Sequence, residues 1–428
     1  MNNDSRVFIT GLGALTACGN SVQDTWQAIC AGRHGIGEIT QWDLSSWQYR
    51  LGGELKNFQP AKLLPDRKLM KVISRQDAMG IITAIQAVND SGIIDFRLTL
   101  STPAAHANFN EQTAIYVGSP GNKYMQQYDF LPLVASSQGN MRAFANNLFD
   151  IVHPMWLLRI LPNNVLAYTG ITYGFKGVNH NFTNHAVGGT QALIEAYQAI
   201  KTGQAQRAVV VAYDVGIEPQ ALFYYEKLGI ISPRHLKPFD QEHDGTILAE
   251  GAAAVVLESE ESMVQRAGKP YAEIAGGMTA SECSGLFSIA ADGGALAALL
   301  TRTLDNLVIL PQEIDLVVTH GNGNSKSDLS EAAAIAAVFK MQPVPVTAFK
   351  WAMGHTITAA GILDLIFTVL ALRNYCVPGI VNLQNAAAGC DYLNISAKNR
   401  VLASNNMAIL INRGFASMNA CLVIKSCN

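Results

Sequence analysis

Twice along this chain, at a spacing of about half its length, the same short arrangement recurs. Val178 to Ala212 reads as strand, small-residue turn with Gly188-Gly189, helix and strand, and Val344 to Arg373 reads as strand, turn with Gly354-His355, then Ala359-Ala360-Gly361 entering a helix. A strand that feeds a helix through a small-residue turn must be covered by that helix, so two such units imply two similar α/β halves. The pseudo-repeat boundary falls near Leu257 to Tyr271, giving halves of 1–260 and 261–428. β-Branched runs predict strands at Val7-Thr10, Thr113-Val117, Ala208-Ala212, Ala252-Glu258, Leu316-Thr319, Met407-Leu410 and Cys421-Ile424. Helices are predicted over Val22-Ala31, Arg75-Ser91, Thr190-Thr202, Leu329-Phe339 and Ala359-Arg373. Between residues 118 and 168 this alternation lapses into a stretch holding Pro120, Tyr124, Tyr128, Phe130, Trp156 and Pro162, which reads as an insertion.

Composition limits the function classes. With 428 residues, 49% of them hydrophobic and only 15% charged, the chain can bury a large core and hide surface in an oligomer. A formal net charge of −3 with no basic tract argues against nucleic acid as a partner. The seven cysteines form no CxxC pair, which argues against secretory disulfides and a zinc cluster alike. No apolar run reaches the roughly 20 residues that span a bilayer and the first residues carry no secretory pattern, so the expected location is cytoplasmic.

The chemistry concentrates in three places. Thr183-Asn184-His185-Ala186-Val187-Gly188-Gly189 lies between a strand-like run and a helix-like one, where backbone N–H groups and the positive end of a helix dipole can face a bound group. The attacking atom such a turn would carry in acyl transfer is missing, because Ala186 offers a methyl group. His320, closing Val317-Val318-Thr319, and His355, following Gly354, can converge as donors to a thioester carbonyl; taken singly, each reads first as a satisfied structural histidine, and the order of the three motifs changes that reading.

The order and wording of these motifs resemble the β-ketoacyl-acyl-carrier-protein synthases, in particular the ketosynthase II branch and its polyketide relatives. The resemblance runs through Arg6-Val7-Phe8-Ile9-Thr10-Gly11-Leu12-Gly13, Lys237-Pro238-Phe239-Asp240 with Asp244-Gly245, His320-Gly321, Lys350 to His355, Val377 to Leu383 and Asn412 to Asn419. It implies a thiolase-type fold of five layers, α-β-α-β-α. It also implies that Ala186 stands at the nucleophile position, that His320 and His355 polarise a malonyl thioester, that Lys350 pairs with Glu331, and that Phe415 gates the site and lends its backbone N–H to an oxyanion hole. Asn322 and Asn324 replace threonines that contact the phosphopantetheine arm in that family. Trp156 falls where an aromatic side chain closes the partner's tunnel, although an interface core residue would look the same. No cofactor is implied beyond the phosphopantetheine arm of an acyl carrier protein, which brings the substrate.

Three readings stay open. The chain is the non-loading partner of a cysteine-bearing ketosynthase, similar to a chain-length factor; or it decarboxylates malonyl-carrier protein, which needs both histidines but no thiol; or it is a synthase whose cysteine was replaced by alanine. Active members carry small residues beside the cysteine, whereas His185 and Val187 flank Ala186, and the gating loop has become Gly414-Phe415-Ala416-Ser417-Met418. Several linked departures argue against the third reading.

Three weaker motifs take plain readings. Gly11-Leu12-Gly13 lacks the rest of a dinucleotide loop and reads as a tight turn. Asp240, His243 and Asp244 read as a solvated Asx-type turn rather than a metal site. Arg67, Lys68, Lys71 and Arg75 form a basic cluster that suits an acidic carrier protein or an ordinary solvated helix face.

Overall fold

Ten strands form one mixed sheet in the computed structural model, which describes residues 5–121, 123, 128–283, 285–340 and 343–427. Tyr124 and the first four residues lie outside the described residues. The strands are β1 (Val7–Leu15), β2 (Thr113–Gly118), β3 (Asn179–Phe182), β4 (Arg207–Val215), β5 (Glu250–Ser259), β6 (Ala272–Ser281), β7 (Leu316–Val318), β8 (Val346–Thr347), β9 (Met407–Gly414) and β10 (Met418–Ser426). Their spatial order is β8-β7-β9-β10-β6-β1-β5-β4-β2-β3. The first five strands in the chain are thus ordered β3-β2-β4-β5-β1, and the last five repeat that order as β8-β7-β9-β10-β6.

Strand directions repeat as well. β1 and β5 are antiparallel, β5 and β4 antiparallel, β4 and β2 parallel, β2 and β3 parallel. In the second half β6–β10 and β10–β9 are antiparallel, while β9–β7 and β7–β8 are parallel. The halves join where Val7 to Ile9 pair with Ala272 to Ile274.

The helices that matter here are α1 (Val22–Cys30), α2 (Arg75–Ser91), α3 (Met141–Ile151), α4 (Trp156–Ile160), α5 (Gly188–Lys201), α6 (Gly294–Leu307), α7 (Ser325–Phe339) and α8 (Ala360–Arg373). α2 covers the outer face of the first half through β1, β4 and β5, α6 and α7 cover the second, and α5 and α8 pack on each other between the halves. These five layers are the expected thiolase-like α-β-α-β-α fold. β4 and β5 are buried along their whole length, as strands covered on both faces must be.

Local chemistry fixes the boundaries. α2 starts and stops where predicted because Ser74 and Asp77 form a capping box and Gly92 ends the helix in the left-handed region. Gly11-Leu12-Gly13, by contrast, is not a turn; it continues β1 to Leu15. A Cβ on Gly11 would lie 2.2 Å from the Ala87 carbonyl oxygen, and one on Gly13 2.3 Å from that of Thr83, so both glycines serve the close seating of α2 on the strand. The run expected from Val344 onward is strand only at Val346–Thr347.

The stretch from 118 to 168 contains the helices Leu131–Ser137, α3 and α4. It is anchored inward by a buried ion pair, Lys123 Nζ to Asp77 Oδ1 at 2.6 Å, with Asn164 Nδ2 also donating to Asp77. Its outer face is apolar and open: Leu131, Met141, Phe149 and Leu157 are each more than half exposed.

The other two plain sequence readings are corrected in part. Asp240 does form the Asx-type turn, its Oδ1 accepting Glu242 N–H, and Asp244 is exposed, but Asp240 itself is fully buried and also accepts from Gln384 and Asn385 N–H, and His243 pairs with Asp328 rather than standing in solvent. Arg75 leaves the basic cluster, because its guanidinium binds the buried Glu250 carboxylate at 2.9 Å. No group of side chains with metal-site geometry occurs among the described residues, and no helix among them is long and apolar enough to cross a membrane.

Candidate functional site

The three motifs meet at a cavity of about 250 Å³ whose walls include His185, His320, Asn322, Asn324, His355, Arg413 and Phe415. His320 comes off the end of β7, where Thr319 pairs with Thr347 and Gly321 turns the chain with φ 44°. His355 follows Gly354, whose φ of 81° and closeness to Ala249 suit glycine alone. The two imidazoles stand edge to face with centroids 5.0 Å apart.

Burial, reinforced by the nearby Lys350 ammonium, holds both rings well below the usual histidine range, so both are neutral. Nδ1 of His320 accepts the Arg413 backbone N–H at 3.4 Å, which leaves Nε2–H as that ring's donor. A neutral imidazole of this kind can polarise a carbonyl without carrying charge into a dry pocket.

Glu331 and Lys350 support this wall separately. Glu331 accepts the backbone N–H groups of His320 at 2.8 Å and Gly321 at 2.9 Å, fixing the turn that aims the histidine. Burial pushes its carboxyl up to about 7. The expected Lys350–Glu331 pair is not formed: Lys350 Nζ binds Asp364 Oδ2 of α8 at 2.7 Å, with both side chains buried. The reason is placement: Glu331 faces the backbone of residues 320 and 321, while Lys350 Nζ reaches Asp364. Asp364 was legible in one respect, as the lone carboxylate in the apolar run Ala360 to Leu372.

Asn322 and Asn324 reach the cavity but spend their carbonyl oxygens on the loop. Asn324 caps α7 by accepting from Ser327 N–H, and Asn322 accepts from Asn324 N–H. Trp156 does not reach this cavity; it lies edge-on to Phe130 at 4.4 Å in the inserted stretch.

The opposite wall departs most from expectation. Ala186 is fully buried and does not line the cavity; His185 does, in front of it. His185 holds φ 47°, a left-handed conformation uncommon for a residue with a side chain, and this aims its ring at the gating loop. Its Nδ1 accepts the Phe415 backbone N–H at 3.2 Å, its Nε2 lies 2.5 Å from the Tyr225 hydroxyl, and its face stacks on Phe415 with centroids 4.0 Å apart. Burial pulls this imidazole down to about 4. The sequence marked His185 only as an unusual neighbour of Ala186, and Tyr225 gave no signal at all.

The loop Gly414 to Met418 is tied down elsewhere too. Ala416 and Ser417 both have left-handed φ values, 60° and 56°. Ala416 N–H donates to Leu286 O at 2.7 Å, and Ser417 Oγ donates to Gly285 O at 2.5 Å.

Known proteins share this architecture. Residues 4–262 match the Beta-ketoacyl synthase, N-terminal domain family, and residues 271–384 match its C-terminal domain. A 3-oxoacyl-[acyl-carrier-protein] synthase 2 of Synechocystis sp. is 26% identical over 98% of both chains, and one from Staphylococcus aureus is 27% identical over 99% of both. Among solved structures, the ishigamide ketosynthase/chain length factor superposes with a TM-score of 0.87 at 23% identity, covering 99% of this chain and 100% of that one. With two matched domains spanning most of its length, the chain belongs to the beta-ketoacyl synthase family.

Proposed function

We propose that this chain is a non-loading, chain-length-factor-like subunit that works beside a cysteine-bearing ketosynthase in type II polyketide, polyene or fatty-acid-type chain elongation. One observation carries the reading: where a nucleophile would face the cavity, Ala186 is fully buried, its neighbour His185 lines the wall, and no thiol is among the described residues of that wall. A thioester has nothing there to attack it. Several features support a partner subunit. The inserted stretch exposes large apolar side chains, with Phe149 80% and Met141 72% accessible, the kind of surface that a partner covers. Strand β3 lies at the sheet edge with its backbone free to pair on one side. The similar solved structures include one titled as a ketosynthase with a chain length factor and one titled as a type II acyl-carrier protein in complex with its ketosynthase. An acyl carrier protein, presenting its phosphopantetheine arm to the histidine-lined cavity or to that of the partner, is the second expected associate.

In this reading Trp156 borders the partner's acyl tunnel, and the test is product profiling of the reconstituted pair. Trp156→Ala should leave the dimer intact and move products toward longer chains. An unchanged length distribution with an intact dimer removes the gatekeeper role, and full activity of the cysteine-bearing subunit alone removes the partnership.

The convergent neutral histidines favour one alternative, decarboxylation of malonyl-carrier protein. The N–H donors would hold the thioester carbonyl while the carboxylate leaves as carbon dioxide, its bonding electrons pass to the enolate and a proton from solvent completes the acetyl product.

A further inference from the structure

A second cavity, of about 520 Å³, lies on the far side of His185 and is lined largely by apolar groups including Val215, Ala221, Tyr224 and Ile357. Both cavities share the same partition: His185, Tyr225, Leu228, Leu286, Phe287 and Phe415 appear in the walls of each. The partition is closed by ring contacts. His185 stacks on Phe415 at 12°, Tyr225 packs against Phe415 with centroids 5.3 Å apart, and Phe287 meets Phe415 edge-on at 5.0 Å. Its polar edges are matched as well, Phe415 N–H to Nδ1 and the Tyr225 hydroxyl to Nε2.

We infer that His185 is a second block on acyl loading, independent of the missing thiol: its ring seals the passage between the two cavities and its Nδ1 occupies the Phe415 N–H that would otherwise donate to a thioester carbonyl. The inference rests on the reading of this turn as a nucleophile turn. The loop and the turn lie close together. A Cβ on Gly414 would sit 3.3 Å from the Ala186 nitrogen and 3.5 Å from His185 Nδ1, so the loop is seated directly on the turn. The imidazole is the right acceptor because it is neutral: with Nδ1 deprotonated it takes the amide proton, and with Nε2 protonated it serves the tyrosine. A ring stacked on one face and hydrogen-bonded at both nitrogens moves only by giving up all three contacts together. His185 thus acts as a positioning residue that holds the gating loop shut and shortens the space open to an acyl chain.

The consequence is that restoring the nucleophile alone will not restore loading. The experiment compares full-length Ala186→Cys with His185→Ala/Ala186→Cys, using the hexanoyl thioester of N-acetylcysteamine as acyl donor and following the mass of the peptide that carries position 186. In the reaction the introduced sulfur bonds to the hexanoyl carbonyl carbon, the carbon–sulfur bond to N-acetylcysteamine breaks, and that thiol departs with the proton the protein thiol gave up. Freeing one preorganised donor is commonly worth about a hundredfold in rate, so the double variant should be acylated at least about a hundredfold faster than the single one. Should the double variant fold poorly, Tyr225→Phe/Ala186→Cys keeps the ring volume and removes only the hydroxyl at Nε2; an intermediate rate is expected. Rates at position 186 within threefold of the Ala186→Cys single variant, whether both fast or both nil, overturn the inference. The unaltered chain is the separate control: an acyl group on any of its own residues in the cavity sinks the non-loading reading, whatever the variants do.

Discussion

Two turns of this molecule are built alike and used differently. In the first half, His185 at φ 47° precedes the short 3-10 turn His185–Val187 and the 14-residue helix α5; in the second, Ile357 at φ 45° opens the short turn Ile357–Ala359 and the 14-residue helix α8. Each places a non-glycine residue in the left-handed region at the mouth of a central helix. The second turn is held by its own polar group, since Thr358 donates N–H at 3.3 Å and Oγ1–H at 2.7 Å to the buried Asp214 carboxylate. The first is held across the cavity by Phe415 and Tyr225. One geometry, shared by both halves, therefore rests on a carboxylate of strand β4 at the second turn and, in the inference drawn above, closes a gate at the first. What decides the outcome is the side chain that the left-handed residue presents.

The second turn can also be tested through the ion pair that flanks it in the chain. Lys350 and Asp364 are buried together, and Asp364 has one further oxygen without a partner. Removing one member of such a pair strands a charge in the interior, which costs about 3–5 kcal/mol. Lys350→Met should lower the unfolding free energy by that amount, read by urea denaturation, while Lys350→Met/Asp364→Leu should recover most of the loss. A loss under about 1 kcal/mol for the single variant would mean the second turn does not depend on this pair.

A middle-sized effect separates the cavity's two walls. If the histidine wall still works chemically, the chain should release carbon dioxide slowly from malonyl-carrier protein, and His320→Ala or His355→Ala should reduce that release about a hundredfold, the usual worth of one carbonyl donor. His185→Ala should not reduce it, because His185 belongs to the closing wall. Carbon dioxide release no higher than the uncatalysed background in the unaltered chain leaves the histidines as structural supports and removes the decarboxylase alternative.

Why one turn could be read from sequence and the other only in part follows from where the deciding contacts come from. The repeat, the helix caps and the histidines at strand ends were legible, because periodicity and local hydrogen bonding write them into neighbouring residues. Gly11 and Gly13 were misread because their reason is the backbone of α2, some 70 residues away in sequence. The Lys350 partner was assigned by resemblance to Glu331 and proved to be Asp364, for the same kind of reason: both are buried helix carboxylates, Glu331 on the outer α7 and Asp364 on the central α8, and only the packing decides which faces the ammonium. His185 was visible as a departure, but the contacts that hold it come from residues 225 and 415, and no local pattern announces a contact of that range.

The smallest effect tests the Asp214 support of the second turn by titration. Burial raises Asp214 to about 6, partly opposed by the hydrogen bonds from Thr358 and Val215. An unfolded aspartate titrates near 3.9, so the folded state holds this proton more tightly, and the contribution to stability is present in full below about pH 4 and is lost as pH rises toward 6. The loss continues through pH 6, where the folded carboxyl is half ionised, and the term is flat only above about pH 7, where the carboxylate is ionised in both states. Asp214→Asn cannot titrate, so the stability of the unaltered chain relative to this variant should fall by about 1 kcal/mol between pH 5 and pH 7, measured by urea unfolding at each pH. Parallel curves for the two proteins across that window would show that Asp214 is already charged at pH 5, and that the second turn is braced by an ionised carboxylate with as many donors as it needs.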